Sequence, residues 1–95
     1  MDGIPFEWDR RKESANQRKH GVAFVEATSV FNDPLSITIP DPDHAGDEER
    51  FVIIGQSGQG SLLIVFHTIR GERIRVISAR AASNHERRKY EESYF

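Results

Sequence analysis

Two strand-like segments joined by a tight turn constrain the fold of this chain more than any other feature. Residues 62–68 (LLIVFHT) and residues 73–80 (RIRVISAR) are rich in branched apolar side chains and are connected by residues 69–72 (IRGE). This pattern predicts a β-hairpin at the centre of a sheet. A histidine and several arginines interrupt the apolar runs. Because burying such groups without partners is costly, they need a structural or a functional reason.

The length and composition predict one globular domain over residues 1–95. A chain of 95 residues is long enough for one hydrophobic core and too short for two. Its 37% hydrophobic and 29% charged residues are typical of globular proteins, and no apolar run approaches the roughly 18 residues of a membrane span. The N-terminus lacks the pattern of a secretory signal, and cysteine is absent. We therefore expect a cytoplasmic protein without disulfides or Cys-ligated zinc.

The net charge of −2 hides an uneven distribution of charge along the chain. Residues 41–49 (DPDHAGDEE) hold five acidic side chains and no Lys or Arg, which leaves 13 basic and 10 acidic residues elsewhere. Residues 1–20 contain five of the basic side chains, and residues 70–95 contain seven. If the fold brings the two ends together, they form a positive surface suited to a polyanion.

Periodicity and turn residues predict an α+β fold with two N-terminal helices, a four-stranded antiparallel meander and a C-terminal helix. Asp9 is the expected N-cap of a first helix that runs to about His20 and ends at Gly21. Further helices are expected at residues 24–31 and 84–94, and strands at residues 35–40, 50–56, 62–68 and 73–80. We expect the helices to cover one face of the sheet and to leave the other open.

The register of the last hairpin decides which polar side chains share the open face. A two-residue turn at Gly71 and Glu72 puts His67 on the same face as Arg80, whereas a three-residue loop puts it opposite Arg75. The sequence leaves both registers open. Either one places an imidazole within one or two strand positions of a guanidinium.

A series of short motifs runs along the chain: FEWD (6–9), RKHGV (18–22), FNDPL (31–35), ERF (49–51), HT (67–68), RIRVISAR (73–80) and ERRKYE (86–91). In this order and spacing they resemble the BrnT toxin family of bacterial type II toxin-antitoxin modules, over essentially the whole chain. The resemblance implies a RelE-like fold and an mRNA endonuclease that slows translation, free or at the ribosome. It also implies neutralisation by a BrnA-type antitoxin, with DNA contacted only through the antitoxin.

The resemblance implies candidate residues for metal-independent RNA cleavage, which needs a base, an acid and cations that stabilise the transition state. His67 is the candidate proton carrier, because imidazole titrates near neutral pH. The candidate phosphate ligands are Arg50, Arg75 and Arg80. Contacts with the RNA are expected from Lys19, His20, Arg87 and Tyr90, with Trp8 as an alternative stacking residue. For His20, which precedes Gly21, the preferred alternative is a C-terminal helix residue that interacts with the helix dipole. No metal-binding motif is visible, and no cofactor is expected.

The catalytic candidates also have plain structural interpretations. His67 could donate a hydrogen bond to a neighbouring backbone carbonyl. Arg75 and Arg80 could form structural ion pairs with Glu7, with Glu26 or with carboxylates of the antitoxin.

The last helix offers further structural interpretations. Ser83 and Glu86 fit a capping box, which is preferred to a catalytic role for Glu86. Tyr90 lies at a helical spacing that is more typical of core residues than of catalysts. The competing class of function is a non-catalytic module that binds RNA or protein with its basic ends and open sheet face.

Overall fold

The computed structural model describes residues 5–43 and 49–93, which form the predicted α+β arrangement. The elements follow in the order β1 (Phe6–Glu7), α1 (Arg10–His20), α2 (Phe24–Ser29), a 3₁₀ turn (Val30–Asn32), β2 (Ile37–Pro40), β3 (Arg50–Gln56), β4 (Leu62–Arg70), β5 (Arg73–Ala81) and α3 (Asn84–Glu92). The second predicted helix is shorter than expected, because the chain tightens into the 3₁₀ turn before Pro34. The predicted end of the last helix at residue 94 lies outside the described residues.

In the described part of the chain the sheet contains five strands in the order β1-β5-β4-β3-β2, so the predicted four-stranded antiparallel sheet is wrong by one strand. Strands β2 to β5 form the antiparallel meander that was predicted. The additional strand β1 runs parallel to β5 and pairs Phe6 with Ile74 and Glu7 with Arg75. A strand of two residues has no periodicity that a sequence pattern can reveal, and its partner lies near the other end of the chain.

Helix α1 is attached to the edge of β5 by one buried asparagine rather than by an apolar face. Asp9 caps its first turn and Gly21 ends it with a φ of 72°, as predicted. Asn16 is only 5% exposed. Its Nδ2 donates to the carbonyl oxygens of Val22 and Ala79 at 2.9 Å each, and its Oδ1 accepts from the Ala79 N–H at 3.0 Å. The side-chain amide therefore takes the place of a neighbouring strand beside Ala79.

The last hairpin combines the two-residue turn with a β-bulge that was not predicted. Its register pairs His67 with Val76 but Phe66 with Ser78, so Ile77 is an extra residue on β5. Successive side chains of a strand point to opposite faces of the sheet. Every side chain of β5 beyond the bulge therefore lies on the face opposite to the one that regular alternation predicts.

The main core lies between one face of the sheet, the core face, and the layer formed by α2 and the 3₁₀ turn. The predicted burial of Phe24, Ala27 and Val30 is confirmed, and Phe31 packs half-buried at the margin. The sheet contributes the buried side chains of Ile53, Leu63, Val65, Val76 and Ala79. Gly55 allows the two layers to approach closely, because a Cβ atom there would lie 2.9 Å from Val30 Cγ1.

Helix α3 lies against the second face of the sheet, so the predicted helix-free face is wrong. Tyr90 holds the helix there: it is 8% exposed, and its hydroxyl donates to Asp33, which also accepts from the backbone N–H of Gln56 on β3. An aliphatic groove of about 310 Å³ remains between helix and sheet, lined by Ile37, Ile39, Val52, Ile54, Ile64, Glu86 and Lys89. The groove ends at β4, and over β5 the second face stays partly open to solvent.

Replacing Asn16 by alanine should lower the free energy of unfolding by about 2–4 kcal/mol, because one buried N–H group and two buried carbonyl groups lose their partner. Urea denaturation of the purified protein measures this change. Gln17→Ala, at the exposed neighbouring position, is the matched control and should change the stability by less than about 0.5 kcal/mol. An Asn16→Ala protein as stable as the wild type would contradict the strand-like role of this side chain.

Candidate active site

The three arginines expected to bind phosphate all lie on the second face of the sheet. Thr68 of β4 pairs with Arg50 on one side and with Arg75 on the other, so these residues form one row across the sheet. Arg80 joins the same face because the bulge at Ile77 shifts the alternation of β5. We call the partly open surface around them the arginine face, formed by Arg50, Phe66, Arg75, Ser78 and Arg80.

Arg80 is held by a bidentate ion pair with Glu86. Two guanidinium nitrogens each lie 2.8 Å from one carboxylate oxygen, and the guanidinium carbon lies 5.9 Å from the centre of the Phe66 ring. Hydrogen bonding from Arg80 lowers the pKa of Glu86 to about 2, against the opposing effect of burial and with a further contribution from the Ser83 N–H. The same hydrogen bonding raises the pKa of Arg80. Glu86 is therefore a poor general base at neutral pH, and its predicted capping box with Ser83 is confirmed.

Arg75 and Glu7 form a second ion pair on this side of the sheet, which confirms one of the structural alternatives. Arg75 Nη1 lies 3.0 Å from Glu7 Oε2, and each side chain is 27% exposed. Arg73 approaches the same carboxylate at 3.9 Å. Such part-exposed pairs contribute about 1 kcal/mol or less to stability, so a phosphate can compete for the guanidinium. Glu26, the other partner considered, instead accepts a hydrogen bond from Ser57 Oγ at 2.7 Å.

His67 faces the core, so the predicted juxtaposition of its imidazole with a guanidinium is wrong. The ring is 3% exposed, packs edge-on against Phe31 at 4.8 Å between ring centres, and lies 5.9 Å from Phe51. Burial lowers the pKa of His67, although the contact of Nδ1 with the Val65 carbonyl at 3.4 Å opposes this effect. The imidazole is neutral at neutral pH. Because the bulge turns Arg80 to the other face, the two predicted partners point away from each other.

Two of the residues expected to contact RNA, Lys19 and His20, come together beside β5. With Lys12 they line an open cleft of about 270 Å³ between α1 and β5, and Ile77 and Ser78 form the opposite wall. All three basic side chains are exposed. Because Ser78 also belongs to the arginine face, the cleft and the face adjoin. We call this feature the α1–β5 cleft.

The remaining RNA-contact candidates do not join this cleft. Arg87 is exposed on α3, whereas the ring of Tyr90 is buried, so the prediction that Tyr90 stacks on a base is wrong. Trp8 is half-buried and packs edge-on against Phe24 at 6.0 Å. The aromatic residue of the arginine face is Phe66. No sequence signal singled out Phe66, because its place in the run LLIVFHT is equally typical of a core residue.

The described residues offer cations and the exposed imidazoles of His20 and His85 to a ligand rather than a cluster of metal ligands. Within residues 5–43 and 49–93, no group of three His, Cys, Asp or Glu side chains is placed to hold a metal ion. No helix in those residues is both long enough and apolar enough to cross a membrane. The chemistry visible on the second face is that of guanidinium and ammonium groups, which bind anions.

Replacing Glu86 by glutamine should lower the stability at pH 7 by about 1 kcal/mol, a value limited by solvent screening of this part-exposed pair. The pKa of Glu86 falls from 4.5 to about 2 on folding, so the ion pair stabilises the protein above pH 4.5 and this effect is lost as the pH falls towards 2. Urea denaturation measures the gap in stability between the wild type and Glu86→Gln. This gap should be present at pH 7 and should close near pH 2. Glu91→Gln, exposed on the same helix, should show no gap. A gap of equal size at both pH values would contradict this account.

The comparisons with known proteins agree with this fold. A family model described as the ribonuclease toxin BrnT of type II toxin-antitoxin systems matches residues 8–86, which include the arginine face and the α1–β5 cleft. The 1.1 Å crystal structure of the Brucella abortus ribonuclease toxin BrnT is similar, with a TM-score of 0.63 and 25% sequence identity over 85% of this chain and 99% of that chain. No curated protein matches the sequence. Because the family model spans most of the chain, the chain belongs to the BrnT family of ribonuclease toxins of type II toxin-antitoxin systems.

Proposed function

We propose that this BrnT-family toxin is a metal-independent endoribonuclease that cleaves mRNA in the cytoplasm and thereby inhibits translation. The observation that carries the proposal is the gathering of cations on one side of the molecule. Arg50, Arg75 and Arg80 lie on the arginine face, and Lys12 and Lys19 line the adjoining cleft. An RNA strand carries a phosphate at every nucleotide, so it matches a surface of this kind. The ribonuclease description of the family supports the reaction class.

The arrangement is suited to attack of the RNA's own 2′-hydroxyl on the neighbouring phosphorus. Negative charge grows on the phosphoryl oxygens in the transition state, and fixed guanidinium groups stabilise that charge. Glu7 and Glu86 already orient Arg75 and Arg80, so these side chains lose little conformational entropy when they bind phosphate. Phe66 offers an aromatic ring on which a base can stack. The expected products are a 2′,3′-cyclic phosphate and a 5′-hydroxyl.

Three other candidate residues have separate parts in this proposal. Arg50 adds a third cation to the arginine face, beside Arg75 and Arg80. Exposed Arg87 contacts the RNA strand where it passes α3. His67 has a structural part, because a neutral ring packed against Phe31 cannot reach RNA on the opposite face.

We further propose that a BrnA-type antitoxin neutralises the toxin in a 1:1 unit, and that DNA contacts the complex only through the antitoxin. The membership in a type II toxin-antitoxin family supports a protein partner. In the described part of the chain, β2 stands at the edge of the sheet. An edge strand presents unpaired backbone N–H and C=O groups, to which a partner segment can add.

Arg50→Gln and Arg75→Gln should each reduce cleavage of a model RNA in EDTA on the order of a hundredfold, because each removes a cation from the transition state. Rates should be read together with the chemistry of the new RNA ends. Arg10→Gln, an exposed cation of α1 outside the cleft, is the matched control and should keep the wild-type rate. Full activity of both arginine variants would reject the arginine face. RNA bound by the wild-type protein without new ends would instead favour the non-catalytic module.

Co-expression with the protein encoded beside the toxin gene should yield a complex whose mass fits one toxin chain per antitoxin chain. Size-exclusion chromatography with light scattering measures the mass, which doubles if the antitoxin dimerises. A toxin that elutes at the mass of the single chain with and without the neighbouring gene product would count against the proposed partner.

A further inference from the structure

The α1–β5 cleft differs from the arginine face in that every residue lining it is basic or uncharged. Lys12, Lys19 and His20 line one side, and the uncharged lining residues are Ala15, Asn16, Ile77 and Ser78. On the arginine face, by contrast, two guanidinium groups are paired with carboxylates. The volume of about 270 Å³ is below that of most whole-ligand pockets and suits one ribose phosphate of a longer strand.

The position of the cleft is fixed by the β-bulge and by the attachment of α1. Ile77 is the extra residue of β5 and lines the cleft, and Ser78 both lines the cleft and pairs with Phe66. The three hydrogen bonds of Asn16 hold α1 against the backbone of β5 at Ala79, one residue further along. Groups on this side of α1 therefore stand beside any RNA bound to the arginine face.

RNA cleavage also needs a group that supplies a proton to the leaving oxygen. Glu86 is ionised by its ion pair, and the Tyr90 hydroxyl donates to Asp33. His67 lies buried on the core face. His20 is exposed, lines the cleft and stands next to the arginine face, which gives its imidazole access to a bound RNA strand.

We infer that His20 is the general acid of the reaction and that Lys12 and Lys19 bind the RNA phosphate next to the scissile bond in the α1–β5 cleft. This inference rests on the proposed ribonuclease function. In the step, the 2′-oxygen forms a bond to phosphorus and its proton passes to solvent. The bond from phosphorus to the 5′-oxygen breaks with its electron pair on that oxygen, which takes a proton from the His20 imidazolium.

A substrate whose scissile 5′-oxygen is replaced by sulfur tests this assignment. A thiolate leaves without protonation, so a missing general acid matters only for the ordinary RNA. His20→Ala should lose on the order of a hundredfold in kcat on ordinary RNA and stay within a few-fold of wild type on the sulfur substrate. Arg75→Gln should be impaired on both substrates. Lys19→Gln should raise KM on both. His85→Ala, an exposed histidine on α3, is the control and should match wild type on both.

The outcomes separate this inference from the proposed function. Equal losses of His20→Ala on both substrates, or no loss on ordinary RNA, would overturn the role as general acid while leaving the ribonuclease standing. Failure of the wild-type protein to cleave either substrate in EDTA would overturn the metal-independent ribonuclease itself. Circular dichroism and thermal unfolding of His20→Ala, at the exposed end of α1, establish that the variant is folded.

Discussion

The extra residue Ile77 in β5 determines which side chains beyond it lie together on each face of the sheet. Without the bulge at Ile77, regular alternation from the two-residue turn would place Arg80 on the core face, the face that His67 also occupies. A guanidinium there would be buried without a partner, at a cost that far exceeds the loss of one pairing in the strand ladder. With the bulge, Ala79 takes the core position and Arg80 reaches Glu86 on the second face. Arg80 therefore joins Arg50 and Arg75 on the arginine face because the bulge resolves a conflict between the polar and the apolar residues of one strand.

The backbone of β5 just beyond the bulge also provides the site to which the strongly basic helix α1 is attached. Among the described residues, β1 covers only Ile74 and Arg75 at the outer edge of β5, and the amide of Asn16 pairs with the backbone at Ala79 instead. Because this attachment is polar, α1 needs no apolar stripe, and its lysines and arginines stay in solvent. The basic N-terminal region thereby comes to lie beside the basic C-terminal half, as the charge distribution along the sequence suggested. A global charge of −2 conceals this local surface.

The carboxylates of Glu7 and Glu86 fix the orientation of two arginine side chains and also reduce the positive charge of the arginine face. Glu86 completes the capping box of α3, fixes the guanidinium of Arg80 and lines the aliphatic groove under the helix. These three contacts couple the position of α3 to the orientation of Arg80. Glu7 has a similar effect on Arg75, so two of the three arginines would already be oriented when an RNA phosphate binds as proposed. Preorganisation of this kind favours catalysis more than tight binding, because the anion has to compete with the carboxylates already present.

The sequence by itself determined the features that depend on neighbouring residues. Asp9 and Gly21 bound the first helix, Ser83 begins the last one, and alternation and turn residues set the meander and its hairpin. Together with the family motifs, these signals predicted the α+β class and the ribonuclease toxin family. The strand β1, the bulge, the burial of His67 and the position of α3 were decided only by tertiary structure. In each case the segment or side chain could lie on either of two faces or edges of the sheet. Its position depends on the distant segments that pack there, and the local sequence pattern carries no signal for that packing.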